Sequence, residues 1–155
     1  MSINRHLSRT VAMQTLYEWD FRDNQSLQGI TARNIDIYKN DVDSGYVIHI
    51  VEGVKSKLRE IDKQIIAVAS EFPIDQIASI DKAIIRLAIY EIIFDDDVPA
   101  KVAINEAVEL GKNFGNDNSY KFINGVLGTV YRNSPKYDAS SEQENKQIES
   151  RDNNE

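Results

Sequence analysis

The chain has 155 residues, of which 41 % are hydrophobic and 28 % charged, a balance typical of a soluble globular domain. It contains no cysteine, which excludes disulfide bonds, thiolate metal sites and a cysteine nucleophile and is consistent with a reducing cytosol. The longest apolar run, residues 65–69, is far shorter than the ~20 residues that a membrane-spanning helix needs. We therefore expect a cytoplasmic protein without a membrane segment.

The formal net charge of −7 is unevenly distributed along the chain. Residues 138–155 contain six acidic and two basic residues, whereas the first 17 residues contain Arg5, His6 and Arg9 and no acidic residue. From Ser134 onward polar residues dominate, and such a composition buries too little apolar surface to fold. We expect a helical domain over residues 1–135 and a disordered acidic tail over residues 136–155.

Hydrophobic residues recur at three- and four-residue steps along most of the chain, which predicts an all-α fold of six to eight helices. The first helix is expected to end near Phe21, with a break through Gly29 and a short helix after Thr31. Asp43 begins a long apolar run that Pro73 ends, and this run is either one bent helix or two.

Three further helices are expected in the second half of the chain. The helix that ends near Phe94 is apolar on almost every side, which is typical of a central, buried helix. The next helix follows Pro99 and ends at Gly115, and polar residues before Tyr120 begin the last one. Strand patterns are weak throughout.

Few features of the sequence are typical of an enzyme. The two histidines, His6 and His49, have no spacing to serine or aspartate that suggests a catalytic triad. The sequence lacks a glycine-rich phosphate loop and a His-x-x-x-His metal motif. The adjacent acids of residues 95–97 point in different directions in a loop. We therefore expect no catalytic site, no metal site and no cofactor.

Two clusters are typical of RNA contact. Arg5 and Arg9 lie four residues apart in the acid-free segment and share one helix face. Phe114 and Phe122 flank a helix junction that also carries Lys121. Helix N-termini favour phosphate, and aromatic rings can stack on unpaired bases. The alternatives are a solvated helix face for the first cluster and a closed core around the corner for the second.

Four blocks of the sequence, in matching order and spacing over about residues 5–132, closely resemble the NusB family of bacterial transcription antitermination factors. The blocks are residues 5–19 with the core Ala12-x-Gln14-x-Leu16-Tyr17, residues 81–91, residues 98–110 followed by Phe114-Gly115, and residues 121–127. The resemblance implies an all-helical fold of two small bundle-like subdomains and no catalytic activity. It also implies pairing with a small-subunit ribosomal protein (NusE) and binding to the boxA element of ribosomal RNA leader transcripts. With other Nus factors and RNA polymerase, such a pair suppresses premature termination.

The resemblance also assigns roles to individual positions. Those that match RNA-contacting positions are Arg5, Arg9, Gln14, Phe114, Ser119, Lys121 and Phe122, and Gln14 is expected to face the same region as the arginines. Those that match positions at or near the protein-partner surface are Tyr17, Asp81 and Arg86. The chain departs from the family in its less dense arginine cluster, in Asp81 where glutamate is common, in Gly128 where an acid is frequent, and in its acidic tail.

Two other functions fit parts of the same pattern. The first is a protein-only helical scaffold or a homodimer, in which the arginine helix is covered by another chain. The second is the RNA-binding domain that precedes the catalytic part of ribosomal RNA cytosine methyltransferases, which has the same fold. This chain has neither a catalytic domain nor a cysteine, so we favour the antitermination factor.

Overall fold

The computed structural model describes residues 4–22 and 24–138. Within these residues the chain forms seven α-helices and no strand, which confirms the predicted all-α class. The helices are α1 (Arg5–Phe21), α2 (Leu27–Tyr38), α3 (Ser44–Ser56), α4 (Leu58–Val68), α5 (Ser79–Ile89), α6 (Ala100–Phe114) and α7 (Ser119–Arg132). Two short 3₁₀ turns cover Lys39–Asp41 and Ile74–Gln76, and a π-helical turn, Tyr90–Phe94, continues α5.

The start of α2 corrects one expectation. Ser26 caps this helix by accepting a hydrogen bond from the N–H of Gly29 at 3.0 Å, so the helix begins at Leu27. The predicted break at Gly29 and the start after Thr31 are therefore wrong, because the cap stabilises a first turn that glycine would weaken. The long apolar run beyond it forms two helices, α3 and α4, which meet at Lys57.

Helices α1–α3 pack on one another, and α4–α7 form a second group. Helix α1 also packs against α5, so the two bundle-like groups share one hydrophobic core. Helix α5 contacts α1, α3, α4, α6 and α7, and most of its side chains are buried, as we expected for a central helix. Helix α5 is thus the centre of the second helix group and also the helix of that group against which α1 packs.

A close approach between α3 and the π-helical turn requires glycine at position 53. A Cβ atom at Gly53 would lie 2.2 Å from a ring carbon of Tyr90, a distance that no side chain tolerates. Because Gly53 has no side chain, the Tyr90 ring packs directly against α3. This contact places the residue after Tyr90, Glu91, between the two helix groups.

The segment after α7 returns to the end of the π-helical turn. The ammonium group of Lys136 donates hydrogen bonds to the backbone carbonyls of Glu91, Asp95 and Val98, at 3.0 Å for the first and the last. A cation is favourable at carbonyls that a helix end leaves without partners. Residues 136–138 of the predicted tail are therefore attached to the domain, and the rest of the predicted tail lies outside the described residues.

The acidic loop after the π-helical turn makes contacts within the protein. Asp95 accepts a hydrogen bond from the N–H of Asp97 at 3.0 Å, and its other carboxylate oxygen lies 3.4 Å from Nε2 of His49. Residues 4–22 and 24–138 contain no group of three or more histidine, cysteine, aspartate or glutamate side chains placed to hold a metal ion. Over the same residues, no helix is both long and apolar enough to cross a bilayer.

Candidate nucleic-acid interface

Arg9, which we expected to contact RNA, lies in the interior, with 5 % of the residue exposed. Its Nε and Nη2 atoms donate hydrogen bonds to the two carboxylate oxygens of Glu91 at 2.9 and 3.1 Å. Glu91 is completely buried. This bidentate pair uses two of the five N–H donors of the guanidinium and balances its charge, and burial leaves little of Arg9 accessible to a phosphate. The expected direct contact of Arg9 with RNA does not agree with this geometry.

Tyr46 of α3 completes this buried cluster. Its hydroxyl donates a hydrogen bond to Oε2 of Glu91 at 2.7 Å. Burial, followed by the negative charge of Glu91, raises the pKa of Tyr46 above its ordinary value. Burial alone would lower the pKa of Arg9, but the hydrogen bond and charge of Glu91 outweigh it and raise that pKa. Both donors therefore keep their protons, and the cluster of Arg9, Tyr46 and Glu91 joins α1, α3 and the π-helical turn.

Arg5 differs from Arg9 because its side chain reaches solvent. Its guanidinium lies 3.9 Å from the centre of the Tyr46 ring, a cation–π contact, and 3.8 Å from Asp43. More than half of the side chain remains exposed. Arg5 borders the arginine cleft, a concavity of about 500 Å³ whose other walls include His49, Asp95, Val102 and Glu106. The exposed guanidinium of Arg5 is therefore held over a half-buried tyrosine.

Gln14 does not lie in the arginine cleft. It is half-buried in a shallow groove of about 410 Å³ that also includes Tyr17, Phe21 and Asn34. Five residues along a helix correspond to a rotation of about 140°, which turns Gln14 away from Arg9. The expectation that Gln14 faces the same region as the arginines is therefore wrong, because α1 turns it toward α2.

The corner between α6 and α7 combines residues from both predicted sets. Phe114 is 40 % exposed, whereas Ser119 is buried. The Ser119 hydroxyl accepts a hydrogen bond from the N–H of Asn116 at 2.9 Å and bonds to the carboxyl group of Asp81. Ser119 therefore holds the corner together from inside, and Phe114 provides the accessible surface.

Asp81 has a carboxylate oxygen that the described residues leave without a hydrogen-bond partner. The residue is buried, and its Oδ1 atom makes no hydrogen bond within residues 4–22 and 24–138. Burial raises the pKa of Asp81, and the hydrogen bond from Ser119 offsets part of that effect. Asp81 lines the corner cleft, a concavity of about 350 Å³ that also includes Tyr17, Phe21 and Phe114. The unpartnered oxygen itself is closed to solvent, so the accessible surface of this cleft is mainly aromatic.

Lys121 and Phe122 lie on another side of α7. Together with Phe72, from the loop after α4, they line the aromatic cleft, a concavity of about 310 Å³. The rings of Phe72 and Phe122 meet edge to face, with centroids 6.2 Å apart. Lys121 is exposed, and its ammonium lies 5.8 Å from the centre of the Tyr120 ring. The second predicted RNA cluster is thus divided between the corner cleft and the aromatic cleft.

Arg86, which we expected at the partner surface, is part of an ion-pair network. Its Nε and Nη2 atoms donate hydrogen bonds to the two carboxylate oxygens of Asp62 at 3.0 Å each, and Nη1 lies 3.3 Å from Asp20. Burial would raise the pKa of Asp20, but hydrogen bonds and charge from Lys82 and Arg86 lower it. The network connects α1, α4 and α5. Arg86 therefore positions these helices, with only 12 % of its side chain exposed.

Sequence reasoning missed Tyr46, Glu91 and Phe72. A signal for Glu91 exists, because it is the single acidic residue in the otherwise apolar stretch of residues 87–94. An acid in a helix that is buried on all sides requires a buried cation, and Arg9 comes from the segment without acids. No comparable local signal identifies Tyr46 or Phe72, whose roles depend on tertiary neighbours.

Comparison with known proteins identifies the family. The NusB family profile matches residues 6–132. The transcription antitermination protein NusB of Shewanella baltica is 42 % identical over 127 residues, which cover 79 % of this chain and 91 % of the relative.

Solved structures have the same fold. A structure of T. maritima NusB superposes with a TM-score of 0.80 and 28 % identity, covering 86 % of this chain and 94 % of that one. A chain in a structure of the antitermination factors NusB and NusE in complex with dsRNA gives a TM-score of 0.74 at 23 % identity, with 83 % and 96 % covered. The second likeness concerns the fold alone. The family match and the relative together establish that the chain belongs to the NusB family.

Proposed function

We propose that this protein is a transcription antitermination factor that binds boxA RNA of ribosomal RNA leader transcripts together with the ribosomal protein NusE. The observation that carries the proposal is the family match over residues 6–132, with relatives named transcription antitermination protein. The NusB relative that was solved with NusE and RNA supports both partners. Other Nus factors and RNA polymerase complete the assembly that we propose.

Two features of the described residues support RNA binding. Arg5 and Lys121 are exposed cations, and single-stranded RNA is bound largely through its phosphates. Phe114 and Phe122 present partly accessible rings near the α6–α7 corner, which suit unpaired bases. Arg9 supports binding indirectly, because its pair with Glu91 also holds the Tyr46 ring on which Arg5 lies.

The corner cleft supports contact with a protein partner. Tyr17 and the exposed ring of Phe21 provide apolar surface beside the unpartnered oxygen of Asp81. Because that oxygen is closed to solvent, the contact that we propose with NusE is made by the accessible rings of the cleft, chiefly those of Phe21 and Phe114. No step of this function is catalytic, and a factor that acts on nascent transcripts belongs in the cytoplasm.

The decisive experiment is a titration of boxA RNA with the full-length chain, with and without purified NusE. We expect salt-sensitive binding that NusE strengthens. For about three phosphate contacts, the plot of log affinity against log salt concentration should have a slope of about −2. A scrambled RNA of equal length and composition is the control. Lack of RNA binding in both conditions would contradict the proposal.

A homodimeric scaffold is the competing function. Sedimentation with and without boxA RNA separates it from the antitermination factor. A dimer that RNA fails to dissociate, and that does not bind NusE, would favour the scaffold.

A further inference from the structure

Phe72 is exposed and held by a fixed turn. It is 53 % exposed although it is a large apolar residue. Its N–H donates a hydrogen bond to the carbonyl of Ala69 at 3.0 Å, and Pro73 directly after it restricts its backbone to extended conformations. The ring is therefore displayed at the edge of the aromatic cleft by a turn with little freedom, which reduces the entropy lost on binding.

The ring pair leaves room for a third aromatic partner. Phe72 and Phe122 meet at an interplanar angle of 83°, so the edge of one ring faces the plane of the other. In this geometry each ring covers little of the other ring's faces. Flat aromatic groups such as nucleobases bind to faces of this kind by stacking.

Gly125 forms an open floor in the aromatic cleft. A Cβ atom at this position would meet no other atom within 4 Å, so neither packing nor backbone conformation requires a glycine. Glycine in the middle of a helix is nevertheless less stable than alanine. A ligand that approaches the α7 backbone closely would explain why a side chain is missing here.

Charged residues of opposite sign lie around the aromatic cleft and distinguish where a phosphate and a base would bind. Lys121 lines the cleft, and its ammonium group lies 5.8 Å from the centre of the Tyr120 ring. Lys112 lies outside the lining, with its ammonium group 5.6 Å from the same ring, so the two lysines form a cationic edge along α6 and α7. Glu71 lines the cleft near Phe72. A phosphate is attracted to the lysines and repelled by Glu71, whereas an uncharged base is suited to the rings between them.

We propose that Phe72 and Phe122 form a stacking site for an unpaired base of the bound RNA, with Lys112 and Lys121 contacting the phosphates next to it. This inference rests on the proposed RNA-binding function and adds Phe72, Gly125 and Lys112 to the surface. The site includes Lys121 and Phe122, which the family resemblance already assigns to RNA. The presence of these two residues and of the lysine edge favours RNA over an apolar protein segment as the occupant.

The test measures boxA RNA binding by full-length variants, with and without NusE. Phe72→Ala should weaken RNA binding by about 5- to 150-fold without changing the salt slope, because the ring stacks but carries no charge. Phe72→Trp should keep the affinity, and its fluorescence should be quenched by RNA. Gly125→Ala should raise the urea midpoint of unfolding and yet weaken RNA binding, two effects that a purely structural role would not combine.

Ile37→Ala is the matched control, since Ile37 is an exposed apolar residue on α2, far along the chain from the cleft. Wild-type RNA affinity in both Phe72→Ala and Gly125→Ala, with Lys121→Ala still weakened, would overturn the stacking site and leave the proposed function intact. Loss of NusE binding with unchanged RNA affinity would overturn it in favour of a protein occupant. Failure of the wild-type chain to bind RNA at all would instead contradict the proposed function.

Discussion

The amino end of α1 and the side of the domain formed by α6 and α7 both carry cations and aromatic rings, but they use them differently. At α1, Arg9 and Tyr46 are joined through the buried Glu91, and only Arg5 remains at the surface. At α7, Lys121 is exposed beside Phe122. Of the two neighbouring arginines, Arg9 thus holds the fold together, whereas Arg5, like Lys121 on the other side, can be reached by a ligand.

The difference shows that an arginine-rich helix does not by itself indicate how many phosphates a protein contacts. A guanidinium whose charge is paired with a buried carboxylate would leave that carboxylate uncompensated if it moved to a phosphate. The number of phosphate contacts must therefore be counted from exposed cations. Substitutions in the two regions should separate effects on stability from effects on RNA binding.

Arg9→Ala should cause the largest change, a loss of about 3–5 kcal/mol in the free energy of unfolding, because Glu91 would remain buried without its cation. Urea denaturation followed by circular dichroism measures this loss. Arg9→Lys keeps the charge but loses the bidentate geometry, so it should fall between the wild type and Arg9→Ala. A stable Arg9→Ala protein with a flattened salt slope would show that Arg9 contacts RNA after all.

Asp81→Asn should stabilise the fold by about 1 kcal/mol at pH 7, because it removes a buried charge that the described residues do not pair. The pKa of Asp81 is raised in the folded state, so the folded protein binds more protons than the unfolded one above the ordinary aspartate pKa. Stability of the wild type therefore falls as pH rises through that window. The gain from Asp81→Asn should be full above the raised folded pKa, shrink as pH falls from that pKa toward the ordinary aspartate pKa, and be absent below it, which urea midpoints over a pH series would measure.

An equal gain at every pH would mean that the charge of Asp81 is not the cause.

Lys121→Ala should have the smallest effect on stability, within about 0.5 kcal/mol, because the side chain is exposed. The loss of one phosphate contact should flatten the salt slope of RNA binding by about 0.7. Lys55→Ala, at an exposed lysine of α3, is the control and should leave the slope unchanged. If both variants have the wild-type slope, the RNA phosphates do not contact Lys121.

Most of the fold was predictable because it follows from hydrophobic periodicity, which is a local property of the sequence. The central position of α5 followed from its apolar residues on all sides, and the structure confirms it. The start of α2 differs from the prediction because the cap from Ser26 offsets the weakness that Gly29 brings to the first turn. A glycine that destabilises the first turn of a helix and a residue that caps that turn have to be considered together.

The site was predictable only in part, because exposure is decided by contacts between distant segments. Arg5 and Arg9 have the same spacing pattern, yet only Arg9 meets a buried carboxylate 82 residues away. The family resemblance places Gln14 with the arginines, although the turn of α1 directs it toward α2. Phe72 carries no motif, and its role depends on the ring of Phe122.

The distance along the chain between Arg9 and Glu91 also has a consequence for synthesis. At a translation rate of about 5–20 residues per second, Glu91 follows Arg9 from the ribosome by roughly 4 to 16 s. During that interval α1, α2 and α3 are all synthesised, but the guanidinium of Arg9, which their shared core must enclose, still lacks the carboxylate of Glu91. The first helix group therefore completes its packing only when the end of α5 arrives.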